Sequence, residues 1–146
     1  MQIFAYEHMT TENKIEKFKA LSDETRLRII NLLLVNDSLC VCELVDTLEI
    51  PQYQISKGLA ILKSSGIVEL EKDGKWGYYQ LSKLNETNKS LFLLLKKILN
   101  DEIFINDLKK LNDRLLLREE GRCVVGFVVE KDLLMLIKKK KEEVNA

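Results

Sequence analysis

Two thiols spaced two residues apart, Cys40 and Cys42 in the run Leu39-Cys40-Val41-Cys42-Glu43-Leu44, and a third far along the chain at Cys123 carry the clearest chemistry. Thiolates are soft ligands for ions with high sulphur affinity, and a trivalent metalloid takes three of them. Cys40 and Cys42 supply two, and Cys123 is the leading third ligand, from the same chain or from a second subunit. His8, the only histidine, is a weaker candidate. An odd number of cysteines argues for thiols or metal ligands over a disulfide framework. Two other uses stay open from the residues alone: free cysteines as small buried hydrophobes, and Cys-x-Cys as a pair that oxidises.

The elements that must hold these thiols follow from periodicity. Leu39, Cys42, Val45 and Leu48 recur every three residues, which predicts a helix through both cysteines to about Glu49. On a regular helix residues two apart point about 200° away from each other. A shared ion with metal–sulphur bonds of about 2.3 Å needs the sulphurs within roughly 4 Å. Ion binding is therefore expected to deform the start of that helix. Upstream, Thr10 or Thr11 caps a helix with Ile15, Phe18 and Leu21 on one apolar stripe, ending near Ala20. Ser22-Asp23-Glu24-Thr25 then opens a second helix that stops near Asn36.

Pro51 suits the first turn of the next helix, in which Ile55, Leu59 and Leu62 form the buried stripe and Ser64-Ser65-Gly66 the end. From Ile67 the period falls to two. Asp73-Gly74-Lys75 between Ile67–Lys72 and Trp76–Leu81 predicts a two-stranded hairpin. Trp76 with Tyr78 or Tyr79 anchors it from beneath. Helices over Asn85–Asn100 and Asp101–Arg118 follow, the first apolar on more than one face and so in need of a partner such as a second subunit. Leu133 to Ile137 is a last apolar patch before the lysines at 138–141, to which no specific role is assigned.

Three helices and a hairpin in this order make a winged helix-turn-helix, a mainly α fold with a small β-hairpin and flanking dimerisation helices. Its second helix of the pair reads the major groove and its wing touches the backbone. Gln52 and Gln54 carry amides able to pair with base edges, and Tyr53 and Ser56 reach base or phosphate. Lys57 and Lys63 on the helix, with Lys72 and Lys75 on the hairpin, supply phosphate contacts.

Composition constrains the rest. A chain of 146 residues, 46% hydrophobic and 32% charged, is sized for one domain with its own core. Residues 1–100 are expected to form the DNA-binding and dimerisation unit, and 101–146 a helical extension of it. The 23 basic and 23 acidic side chains cancel, so a DNA-binding face must be a local arrangement. No apolar run nears the roughly 20 residues of a membrane helix, which predicts a cytoplasmic protein without a membrane partner. No phosphate-binding glycine loop and no Ser-His-Asp set appear, so no enzyme is expected.

Leu21-Ser22-Asp23-Glu24-Thr25-Arg26-Leu27-Arg28-Ile29-Ile30, the Cys-Val-Cys-Glu-Leu segment, Ile55-Ser56-Lys57 and Asp73-Gly74-Lys75-Trp76 together resemble the ArsR/SmtB family. The likeness covers roughly Phe18 to Leu81, and the cysteine segment is similar to the arsenic-sensing subgroup. It implies a homodimeric winged-helix repressor that binds operator DNA and dissociates on taking up As(III), Sb(III) or another thiophilic ion. No resident cofactor is implied. Two departures stand out: Val45 occupies the place of the subgroup's third cysteine, and Gly58 that of a histidine common in the family, at a helix-propensity cost near ~1 kcal/mol. The family's zinc site across the dimerisation helices needs histidines, and His8 alone cannot build it. The alternative reading is a winged-helix regulator switched by thiol redox state or by a protein partner.

Overall fold

Side-chain caps start three of the helices where the polar clusters of the sequence place them. Thr10 Oγ1 accepts from Asn13 N–H at 3.1 Å to open α1 (Thr11–Leu21). Asp23 accepts from Arg26 N–H at 3.0 Å to open α2 (Glu24–Val35). Asn85 accepts from Asn88 N–H at 2.8 Å to open the helix after the hairpin. Each bond satisfies one of the orphan donors of a helix N-terminus. A computed structural model gives residues 10–146, so His8 lies outside the described residues.

Beyond α2 the chain forms strand β1 (Leu39–Cys40), α3 (Val41–Leu48), α4 (Gln52–Ser64), β2 (Val68–Asp73), β3 (Trp76–Leu81), α5 (Glu86–Ile98), α6 (Glu102–Leu115) and α7 (Glu130–Asn145). Helices α2, α3 and α4 enclose a dry core with the hairpin, in which Ile29, Ile30, Leu32, Leu44, Ile55, Leu59, Leu62 and Ile67 are fully buried. Glu49 ends α3 with a left-handed φ of 57°, and the short link through Pro51 delivers the chain into α4. The mainly α winged helix-turn-helix is as expected.

Two expectations are corrected. The helix predicted through both cysteines begins only at Val41, because Leu39 and Cys40 are extended and pair with β3, Leu39 opposite Tyr79 and Cys40 opposite Tyr78. The hairpin is thus part of a three-stranded sheet of order β1-β3-β2. Leu39 fits the helical period by coincidence. The boundary is set instead by Glu43, whose carboxylate accepts the Cys40 N–H at 3.0 Å and fixes Cys40 as the residue before the first turn. In α1 most of the apolar stripe faces outward: Ile15 and Phe18 are 47% and 60% exposed and only Leu21 packs on the core, while Lys17 and Ala20 are buried. Lys17 Nζ donates to the Ser65 carbonyl at 2.9 Å, placing a cation at the C-terminal end of α4.

In the hairpin Val68 faces Leu81 and Asp73 faces Trp76, leaving Gly74-Lys75 as a two-residue turn with Gly74 at φ 61°. Helices α5 and α6 start and stop within the ranges expected of them but are shorter. Helix α6 packs on α3 and α2, tied to α2 by a two-pronged Arg28–Asp107 pair at 2.8 and 2.9 Å and by Asn31 Nδ2 donating to the Phe104 carbonyl at 3.1 Å. In α7 only Leu133 is buried. No helix among the described residues is long and apolar enough to cross a membrane.

Gly58 sits on the buried side of α4 against α2. A Cβ there would lie 3.4 Å from Arg26 Cγ and 3.5 Å from Ile29 Cδ1, ordinary contact distances. Gly58→Ala is therefore expected to stabilise the protein by about 0.5–1 kcal/mol through helix propensity. A urea titration reads this as a higher midpoint at unchanged slope; a lower midpoint would mean that the added methyl is not accommodated against Arg26 and Ile29.

Candidate functional site

The strand-to-helix step at Cys40 brings the thiols together. Cys40 has extended backbone angles (φ −91°, ψ 164°) and Cys42 lies in the first turn of α3, so their side chains turn to the same side. The sulphurs are 2.9 Å apart. Cys123, in the irregular stretch between α6 and α7, enters from the same chain and places its sulphur 3.4 Å from that of Cys42. All three sulphurs lie within 4.8 Å of one another and all three residues are at most 2% exposed. The helix deformation expected from the sequence is thus unnecessary: the thiols already stand close to the roughly 4 Å separation that a shared ion requires. As a donor set, three sulphurs with no histidine or carboxylate among them fit a soft ion.

Around the thiols lies a polar frame that the sequence reading missed. Glu43, fully buried, accepts from Arg118 in two-pronged fashion, Nε to Oε2 at 2.6 Å and Nη2 to Oε1 at 2.7 Å, besides the Cys40 N–H. Arg114, 1% exposed, donates through Nε to Asp46 at 2.7 Å and through Nη2 to the Gly126 carbonyl at 3.1 Å. Its Nη1 is buried and finds no hydrogen-bond partner among the described residues. Tyr78, under the wing, takes the Cys123 N–H on its hydroxyl at 2.9 Å. Arg118 and Arg122 both face the Tyr78 ring, at 5.7 and 5.0 Å from its centroid. Two arginines four residues apart beside a distant cysteine, and a glutamate three residues after Cys40, were the available signals.

The close thiols split in acidity. Cys123 is held well below the usual thiol range, first by hydrogen bonding from the Cys40 and Cys42 side chains, with help from the Gly126 backbone and the Arg114 charge. Cys42 is pushed up to about 12, chiefly by its contact with Cys123. Cys40 is also pushed up, chiefly by Cys123 and then Cys42. Thiols this close titrate as a coupled set, with Cys123 the one whose ionised form its neighbours favour.

The residues expected to meet DNA all lie at exposed positions. Gln52, Tyr53, Gln54, Ser56, Lys57 and Lys63 on α4 are exposed, as are Lys72 and Lys75 on the wing. Tyr53 is 75% exposed at the head of α4. Gln54 Nε2 donates to Thr25 Oγ1 at 3.0 Å, tying α4 to the start of α2. Lys75 Nζ stands 5.1 Å over the Trp76 ring. Trp76 and Tyr78 pack inward against the cysteines, as anchors rather than as base-stacking platforms.

Comparison with known proteins agrees with this architecture. The family model described as bacterial regulatory protein, arsR family, matches residues 23–69. An uncharacterized HTH-type transcriptional regulator of Methanocaldococcus jannaschii is 49% identical over 70 residues, which is 48% of this chain and 79% of that protein. The arsenical resistance operon repressor of Escherichia coli is 48% identical over 68 residues, or 47% of this chain; the match spans only 58% of the repressor's own length. Among solved structures, the homodimeric winged helix-turn-helix DNA-binding domain of a possible ArsR-family regulator from Mycobacterium bovis aligns with a TM-score of 0.53. It is 27% identical and the alignment covers 61% of this chain and 80% of that one.

Proposed function

This chain belongs to the arsR family of regulatory proteins, and from that premise we propose that it represses transcription as an operator-bound homodimer and lets go when Cys40, Cys42 and Cys123 take up a thiophilic ion, As(III) or Sb(III) foremost. The observation that carries the reading is the buried trio of sulphurs within 4.8 Å. Position in the fold supports it. Cys40 is paired with Tyr78 of the wing, and α3, which starts at the next residue, runs into the reader helix α4 through three residues. An ion that adjusts the sulphur spacing acts on both DNA-contacting elements at once. Whatever geometry the ion favours over the DNA-bound one weakens DNA binding, and DNA weakens ion binding by the same factor.

Exposed apolar side chains on the outer helices support the dimer: Ile15 and Phe18 on α1, and Leu93, Leu94 and Ile98 on α5 are each 47–65% exposed. Gln52, Tyr53, Gln54 and Ser56 read bases or sugar-phosphate, and Lys57, Lys63, Lys72 and Lys75 neutralise phosphates. The 2.9 Å contact between Cys40 and Cys42 favours a second reading, release by thiol oxidation.

The test is retention of the reduced protein on its own upstream DNA, first against salt and then against arsenite. Affinity should fall steeply with salt, and Lys57→Gln and Lys75→Gln should each reduce the log–log slope by about 1. Arsenite at a few equivalents should then release the DNA. Release by peroxide but not arsenite selects the redox reading, and retention without salt dependence, or none at all, rejects operator binding.

A further inference from the structure

Cys123 is 81 residues from Cys42, in a stretch whose only regular feature among the described residues is the single Glu119–Arg122 bridge, yet its sulphur arrives 3.4 Å from that of Cys42. Two arginines account for this, Arg114 in the last turn of α6 and Arg118 just beyond it. Arg118 holds the front of the loop through Nη1 to the Gly121 carbonyl at 3.3 Å, and Arg114 holds its back through Nη2 to the Gly126 carbonyl at 3.1 Å. Cys123 lies between these two anchor points. At their other prongs both arginines grip α3, Arg118 on Glu43 and Arg114 on Asp46. Arg118 Nη2 adds a bond to the Ser38 carbonyl at 2.8 Å, just ahead of β1.

Glu43 makes the connection specific, because one of its oxygens, Oε1, accepts both the Cys40 N–H and Arg118 Nη2. The backbone that sets Cys40 and the guanidinium that starts the Cys123 loop thus share one acceptor atom. Buried ion pairs are weak stability devices, since apolar residues of similar volume often serve as well. Two such pairs flanking three thiols do something an apolar contact cannot, fixing distances and angles through a planar fork.

We propose that Arg118 and Arg114 are positioning residues of the ion site, holding the Cys123 loop on α3 so that three sulphurs are assembled before any ion arrives. This rests on the three-thiol reading of the site. It makes the stretch 114–126, outside the residues matched by the family model, part of the sensor.

The experiment uses full-length Arg118→Lys and Arg114→Lys, which keep the charge but lose the fork, with Glu43→Gln approaching the same bond from the acceptor side. The first readout needs no ion: maleimide labelling of the reduced protein, with the modified cysteine located by mass spectrometry. Cys123 should be protected in wild type and labelled at least tenfold faster in the lysine variants, at unchanged ion-free DNA affinity. The second is the near-ultraviolet sulphur-to-arsenic absorbance on arsenite titration. Affinity should drop about 10–100-fold in the lysine variants, the range for outer-shell partners of metal ligands. That drop should vanish when the same variants are made on Cys123→Ser, because the arginines act through that thiol.

Labelling within twofold of wild type in all three variants would overturn the proposal, as would a drop of equal size on the Cys123→Ser background. Loss of DNA affinity in step with labelling would also overturn it, marking the arginines as general scaffold. Wild type that protects Cys123 yet shows no arsenic absorbance would sink the ion-sensing reading while leaving the positioning role standing on the labelling result.

Discussion

Cys40→Ser, Cys42→Ser and Cys123→Ser are each expected to abolish arsenite-driven release from DNA at ion concentrations that clear the wild-type complex, while leaving ion-free DNA binding intact. Losing an outer-shell partner typically costs 10–100-fold in metal affinity, so removing a direct sulphur ligand should cost at least about 100-fold. Serine is nearly isosteric with cysteine, so packing around the three buried sites is kept and folding should survive the modest cost of each buried hydroxyl. Their hydroxyls do not replace a soft sulphur. The informative variant is Cys123→Ser, because its thiol is the one held in the readily ionised form. If it released DNA as readily as wild type while the other two did not, the site would consist of the Cys40–Cys42 pair alone. Equal loss in all three, measured by fluorescence anisotropy of a labelled operator, establishes a trio.

Asp46→Ala should be among the most damaging single changes in the molecule, lowering the unfolding free energy by about 3–5 kcal/mol. Its carboxylate is the partner of Arg114 at 2.7 Å, both side chains are almost fully buried (4% and 1% exposed), and Arg114 Nη1 has no partner among the described residues. An arginine cannot shed its proton to escape burial. Total stabilities of about 5–15 kcal/mol make such a loss visible at once in a urea titration. Arg114→Met is the milder half of the pair, because Asp46 can take up a proton and its carboxyl is already pushed up by burial, against the pull of Arg114. Without that arginine the folded-state pKa rises further above the unfolded one. A raised pKa gives stability that is present below the unfolded pKa and lost as pH rises through the folded one, so Arg114→Met should be closer to wild type in acid than at neutral pH. Asp46→Leu combined with Arg114→Met should recover most of the loss. A double variant no better than Asp46→Ala would mean that the Gly126 anchor, and not charge balance, dominates.

The winged helix was legible because its signals are local: Thr10 and the Ser22–Thr25 cluster at helix starts, Pro51 ahead of α4, Asp73-Gly74 at the turn. Legible too were the three cysteines as one set, although the route of Cys123 to it was not. Its arrival depends on Arg114 and Arg118 reaching Asp46 and Glu43, pairs separated by 68 and 75 residues, and no periodicity encodes such a match. The start of α3 was misjudged for a related reason. Leu39 satisfies a spacing of three, but pairing with Tyr79 and the grip of Glu43 on the Cys40 N–H outweigh it. In α1 the stripe of Ile15 and Phe18 was correctly seen as apolar, but which face of a helix meets its own core is decided by neighbours. Here the long stem of Lys17 covers that core while its ammonium meets the Ser65 carbonyl.

Trp76, the single tryptophan of the chain, lies beside the turn of the wing with its ring against the cysteine cluster and against Gly126. The molecule therefore carries its own optical gauge where the cysteine cluster meets the wing. An adjustment of the sulphurs, a displacement of the Gly126 end of the loop and a swing of the wing each alter the surroundings of the same indole, so emission from unlabelled protein can time these events in a stopped-flow mixer.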